Sequence, residues 1–273
     1  MTVGLLMLLG GIAAGAFGSI LGLGGGLLIV PLLTLGFGLP LREAVAISLV
    51  CVIVTSSASA GVYLQRRQAN LRLGMVLELF TAAGAIIGGA IAFLIDERLL
   101  AGLFALLLVY VAATMLRGLR QREPAPQATD DETPPPPEAA GASDNDLGYL
   151  TGRLPVAAVG SVGAGVASAL LGIGGGLIKV PLMHLVLGVP LRIATATSNL
   201  MIGITASASA IVYLVRGGID AYVAGPTAIG VFVGATLGSR FGHRIGQREL
   251  RVLFVLVLLY TAIEMARRAL ALD

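Results

Sequence analysis

Residues 22–42 read GLGGGLLIVPLLTLGFGLPLR, and residues 172–192 read GIGGGLIKVPLMHLVLGVPLR, with thirteen of twenty-one positions identical. The offset of 150 holds elsewhere: TSSASAGVYL at 55–64 returns as TASASAIVYL at 205–214, and Leu103, Phe104, Tyr110 and Met115 return as Leu253, Phe254, Tyr260 and Met265. The chain is therefore a tandem duplication whose halves share one fold. Each copy sets three consecutive glycines and a proline inside apolar sequence. In a duplicated membrane protein, such an interrupted segment is the best sequence pointer to a transport site.

Composition makes the chain a membrane protein. Of 273 residues, 56% are apolar and only 12% charged, and the mean hydropathy is +0.93. The charges collect in short runs between apolar stretches long enough to cross about 30 Å of hydrocarbon as helix. Spans are expected near 3–21, 44–64, 74–95 and 99–117, and near 153–171, 194–214, 222–240 and 250–268. The expected fold is an all-α polytopic bundle of about eight spanning helices plus two glycine-broken short segments. The apolar N-terminus carries no Lys or Arg before Val3, so it reads as a retained helix rather than a cleaved signal. Residues 1–118 form the first transmembrane repeat and 151–273 the second. Residues 119–150, with PPPP at 134–137 and acids such as Asp130, Asp131 and Glu132, read as a disordered cytoplasmic linker.

Arginine placement sets the orientation. Arg66, Arg67, Arg72, Arg117, Arg120 and Arg122 flank the hairpin of the first half, which puts those loops in the cytoplasm. In the second half the basic loop has moved to the hairpin tip, with Arg240, Arg244, Arg248 and Arg251. The shift favours inverted repeats over parallel ones, against which Arg267 and Arg268 at the C-terminus count. Inversion needs an odd number of crossings per half, so the glycine-broken piece either crosses as a fifth element or re-enters with the first helix.

Pro31 and Pro181 suit the first position of a helix. The expected local structure is therefore unwound from Gly22 to Val30 and from Gly172 to Val180, with short helices opening at the prolines. Free amides and a helix start make an anion site. Its expected residues are Gly24, Gly25, Gly26 and Pro31 in one copy and Gly174, Gly175, Gly176 and Pro181 in the other. Lys179, which replaces Ile29, is placed to meet the anion, and Ser48, Ser198 and Asn199 are candidate hydrogen-bonding partners. His184 and Glu78 are candidates for proton coupling, since ionisable groups inside spans are costly. Ser57, Ser59, Ser207 and Ser209, in the repeated S-A-S-A run, read first as packing residues.

The G-x-GGG-x(4)-P element, its recurrence and its hydrophobic frame resemble the TauE/SafE family of sulfite exporters over nearly the whole chain. The resemblance implies a bacterial inner-membrane carrier of sulfite, sulfoacetate or related organosulfonates. No nucleophile elbow, HExxH, phosphate-binding loop or cysteine pair is present, and Cys51 stands alone. The expectation is no enzyme, no cofactor, no metal site and no nucleic-acid partner. The expected partners are a small anion, the bilayer and a coupling ion, H+ or Na+, with homo-oligomers compatible. Without an ATPase motif, transport would be driven by a gradient. A passive anion channel and a non-transporting membrane binding subunit share these features.

Overall fold

The computed structural model describes residues 2–20, 26–65, 69–120, 147–241 and 247–270. Gly22, Gly24, Gly25 and linker residues 121–146, on which several expectations fall, lie outside them. Among the described residues there are ten helices and no strand. They are α1 (Thr2–Ile20), α2 (Gly26–Pro31), α3 (Leu41–Gln65), α4 (Leu71–Ala92) and α5 (Glu97–Arg120), then α6 (Leu147–Leu171), α7 (Gly176–Pro181), α8 (Leu191–Val215), α9 (Ala221–Phe241) and α10 (Gln247–Ala269). Each helix of the first half has its counterpart five places on. Four segments are long and apolar enough to cross a membrane: Leu71–Ala92, Glu97–Arg117, Ile193–Val215 and Ala221–Gly238. Val3–Ser19 and Pro155–Leu171 are shorter apolar helices.

The prolines do not open helices. Pro31 and Pro181 are instead the last residues of α2 and α7, which start at Gly26 and Gly176. The reason is visible in the second copy, where Gly172, Gly174 and Gly175 take φ of 68°, 73° and 77°. That left-handed backbone costs glycine nothing, so the chain turns within four residues and Gly175 itself caps α7. Each proline lacks an amide and crowds the preceding turn. The helix relieves this by widening at once into a π turn, Leu32–Gly36 or Leu182–Val186. The Thr34 hydroxyl donates to the carbonyls of Val30 and Pro31, at 2.9 and 3.3 Å. In the second copy the Leu182 amide is shared between the carbonyls of Ile178 and Lys179.

The halves interleave. α1 packs on α9 and α6 on α4, while α3 crosses α8 and α5 lies on α10. Glycine makes the closest of these contacts. A Cβ on Gly15 would lie 2.3 Å from the Val231 carbonyl oxygen, and one on Gly165 would lie 2.0 Å from that of Thr81. These are the same contact seen twice, since Gly165 and Val231 sit 150 residues beyond Gly15 and Thr81. Small residues at such crossings let backbones approach where hydrocarbon gives helices no hydrophobic drive to associate. Large apolar side chains point outward instead, among them Leu79, Leu106, Val159, Ile211 and Tyr260.

Several contacts set helix directions around the glycine breaks. α4 and α8 run alongside each other: a Cβ on Gly74 would lie 3.0 Å from Thr197 Cγ2, Glu78 meets Thr205, and Phe93 stacks on Tyr213 at 5.2 Å. Asn70 caps α4 through the Leu73 amide, while its own amide donates to Thr197 Oγ1. α3 begins where α4 ends, with Arg42 donating to the Ile95 carbonyl and the Leu41 amide to Glu97. Arg268 near the C-terminus donates to the Thr34 carbonyl at 3.1 Å. This arginine, awkward for charge-based orientation, is held by a carbonyl of the π turn.

Candidate functional site

The described ends of the two breaks meet on α3. Ser48 Oγ lies 3.0 Å from the Gly26 carbonyl and 2.8 Å from that of Gly172, so one buried hydroxyl links the first break to the second. One turn further along α3, Val52 touches both breaks: a Cβ on Gly26 would lie 2.6 Å from its Cγ2, and one on Gly174 would lie 2.8 Å from its Cγ1. Val52 stands midway along α3. Gly172, Gly174 and Gly175 are buried. Among the described residues, no carbonyl accepts from the amides of Gly174, Gly175 or Gly176.

Ile202 packs closest on this backbone, 2.6 Å from a Cβ on Gly174 or Gly176, and Ser168, Ser198 and the Lys179 stem lie beside it. A Cβ on Gly175 would lie 3.3 Å from Ser168 Cβ and 3.4 Å from Lys179 Cε, and one on Gly176 would lie 3.6 Å from Ser198 Oγ. Ser168 Oγ and Ser198 Oγ are buried without a hydrogen-bond partner, as is Ser161 Oγ two turns away on the same face of α6. Buried polar groups are normally paired, so these hydroxyls stand ready for something else. Amides without a described acceptor, two hydroxyls without a partner and a cation make a donor-rich wall.

Lys179 is 1% exposed and already has a partner, for its Nζ lies 2.9 Å from Glu78 Oε2 of α4. Thr205 of α8 ties the pair together. Its hydroxyl donates to Glu78 Oε1 at 2.6 Å and accepts from Lys179 Nζ, and it also lies 3.1 Å from the Met201 carbonyl. Glu78 is therefore buried in the core and salt-bridged across 101 residues of sequence, and Lys179 does not snorkel to a headgroup.

The other expected residues scatter. Asn199 follows Ser198 but is only partly buried, turned about 100° round the helix from it. His184 is exposed in the π turn after α7, its Nδ1 2.9 Å from the Val189 carbonyl, away from Glu78. Pro31 and Pro181 shape the turns and offer no donor. Ser57 and Ser207 line a cleft of about 220 Å³ between α3 and α8, together with Ile53, Ser56, Gly203 and Ile204. Their hydroxyls return to their own helices, at the carbonyls of Ile53 and Gly203. Ser168, Ser161 and Thr205 were not foreseen. Ser168 and Ser161 had a signal, since they replace Gly18 and Gly11 of the first copy. Among the described residues no group of three His, Cys, Asp or Glu side chains could hold a metal.

The family model "Sulfite exporter TauE/SafE" matches residues 7–265. The chain belongs to the TauE/SafE family. It is 23% identical to the probable membrane transporter protein YunE of Bacillus subtilis (strain 168), over 91% of this chain and 92% of YunE. It is 29% identical to a probable membrane transporter protein of Xylella fastidiosa (strain 9a5c), over 96% of this chain and 94% of that one. It is 30% identical to the probable membrane transporter protein MamO of Paramagnetospirillum magneticum, covering 94% of this chain but 42% of MamO. No solved structure matches the chain significantly. This TauE/SafE protein is thus a membrane transporter, and its apolar helices fit a multi-pass one.

Proposed function

We propose that this TauE/SafE protein is a gradient-driven carrier of small sulfur-containing anions such as sulfite, sulfoacetate or related organosulfonates. Its site is the junction of the glycine breaks, with substrate held by the amides of Gly174–Gly176, Ser168, Ser198 and Lys179. The observation that carries this is the group of donors at the second break: the buried hydroxyls of Ser168 and Ser198, which have no partner, and the Gly174–Gly176 amides, from which no described carbonyl accepts. Sulfonate and sulfite oxygens are acceptors only, and backbone amides, serine hydroxyls and an ammonium can all donate to them. The Gly174 and Gly175 backbone, with no side chain to fill the space, lets the amides themselves reach the anion.

The two halves are inverted repeats in this reading. α8 follows α4 in direction, and α3 starts where α4 ends, which supports opposite directions for the counterparts α3 and α8. Likewise α1 follows α9, whose preceding Asp220 lies close enough to act on Glu43 at the start of α3. With α1 and α3 pointing the same way, the segment between them is a returning pass, which makes five per half. The contacts of both breaks with the middle of α3 support a site near the bilayer midplane, with the arginine-rich loops and linker cytoplasmic.

The test is purified protein in detergent and in proteoliposomes. Sulfite, thiosulfate and sulfoacetate should raise the melting temperature by mass action, while taurine and simple carboxylates do so less. Labelled sulfite or sulfoacetate should enter proteoliposomes with saturation and counterflow. Current without saturation would make the protein a channel, and no flux at all would remove the transport reading.

A further inference from the structure

The one internal ion pair of the described core sits beside the donor wall, and its geometry carries a coupling mechanism. Lys179 is the only cation among the described residues that touches the second break, and its ammonium is occupied by Glu78. A substrate anion that uses Lys179 must take the place of that carboxylate. A displaced carboxylate at this depth has lost its counter-charge, a state that costs several kcal/mol and is relieved by taking a proton. We propose that Glu78 and the substrate alternate as partners of Lys179, so that each bound anion brings one proton onto Glu78. This rests on the anion-carrier reading above and names its coupling ion.

The charges balance. Before binding, the site holds one ammonium and one carboxylate. After binding, it holds the same ammonium, one anionic group of the substrate and a neutral carboxylic acid whose proton came from the aqueous side. Net site charge is unchanged for a monoanionic head, which permits movement through hydrocarbon surroundings. Release reverses both steps: the anion leaves, the proton leaves, and the Lys179–Glu78 contact closes. Thr205 suits both states because it reaches both partners now, at Glu78 Oε1 and at Lys179 Nζ. When Glu78 is protonated, the same hydroxyl can accept from it or remain on the ammonium.

Among the described residues nothing else competes for the role. There Lys179 is the one charged group acting on Glu78, and Glu78 the one acting on Lys179. From α8 the neighbours of the pair are Thr205 and Met201. On α6, Arg153 lies at the exposed outer end and donates to the Val186 carbonyl at 3.1 Å. On α4, Arg72 is exposed near the helix start, and His184 is turned outward as described. At the repeat offset, Ile29 and Ala228 stand where the pair has Lys179 and Glu78. One proton per transport cycle is therefore expected from two glycine breaks.

The experiment is sulfoacetate uptake into proteoliposomes that enclose a pH-sensitive dye, with both sides kept between about pH 7 and 8, where the sulfonate and the carboxylate of the substrate are both ionised and it carries no proton itself. An inward sulfoacetate gradient should acidify the lumen through the wild-type protein, and an acid outside should drive accumulation above equilibrium. Glu78→Gln fixes the neutral form. It should bind sulfoacetate at least about tenfold more tightly, because the internal competitor is gone, and should lose acidification and acid-driven accumulation. Uptake without acidification by the wild type overturns the coupling while leaving the carrier intact. Acid-driven accumulation persisting in Glu78→Gln overturns the assignment to Glu78. Should Glu78→Gln fail to fold, the wild-type proton measurement still decides. Absence of sulfoacetate, sulfite and thiosulfate uptake altogether would remove the carrier reading and this inference with it.

Discussion

The two glycine breaks share a sequence frame and differ in chemistry. In the second, Lys179, Glu78 and Thr205 form a buried charged triad, and Ser168 adds a hydroxyl. At the corresponding positions the first has Ile29, Ala228, Thr55 and Gly18, and Ile29 and Ala228 belong to the main apolar core. The related serines divide likewise. Ser48 spends its hydroxyl joining Gly26 to Gly172, while its counterpart Ser198 is buried without a partner. The polar groups thus gather at the second break, while the apolar residues Ile29 and Ala228 stand at the positions corresponding to the ion pair.

The contrast can be broken most severely at the ion pair. Lys179→Ile installs the first copy's residue and strands Glu78, which should cost about 3–5 kcal/mol and abolish the thermal shift given by sulfoacetate. Adding Glu78→Ala completes the conversion to the first copy's pair. The double variant should regain most of the lost stability, because an apolar replacement of a whole buried pair is often neutral, yet bind no anion. A double variant as unstable as the single one would mean that the triad holds the fold together rather than serving substrate. Melting curves in detergent with and without anion give all the numbers.

The shared scaffold is probed by glycine. Gly15→Ala and Gly165→Ala each drive a methyl into a backbone carbonyl and should cost similar amounts, about 1–3 kcal/mol. Unequal losses, read as unequal falls in melting temperature, would show that the copies no longer pack alike. The smallest effects belong to the serines, and they should separate. Ser48→Ala gives up links to two carbonyls and should lower stability by about 1 kcal/mol, whereas Ser198→Ala should leave stability unchanged and weaken anion binding. If Ser198→Ala left sulfoacetate affinity untouched, the donor wall would lose that member.

The duplication, the helix positions and the break at Gly172–Gly175 were legible because a fixed offset of 150 and long apolar stretches are one-dimensional signals. The prolines were misplaced because preference for a first helical turn is a local rule, while left-handed Gly174 and Gly175 had already started the helix five residues earlier. Lys179 was recognised as unusual from one substitution in the repeat, and Glu78 as a candidate for proton coupling, but their pairing was not. Glu78 comes from the other half, brought in by the packing of α4 against α8, and no sequence spacing encodes that contact. Ser168 and Ser161 were within reach, for a hydroxyl replacing a glycine at the repeat offset is the same kind of signal that exposed Lys179.

Because α1 lies on α9 and α6 on α4, each half buries its opening helix in the other. An isolated half would be left with a bare groove and a glycine-lined helix that had nowhere to dock. The smallest unit able to close its own surface is therefore two copies, so the gene that was doubled must have encoded a chain that lived as a pair, and severing the tether between the modern halves should still let them reassemble when they are made together.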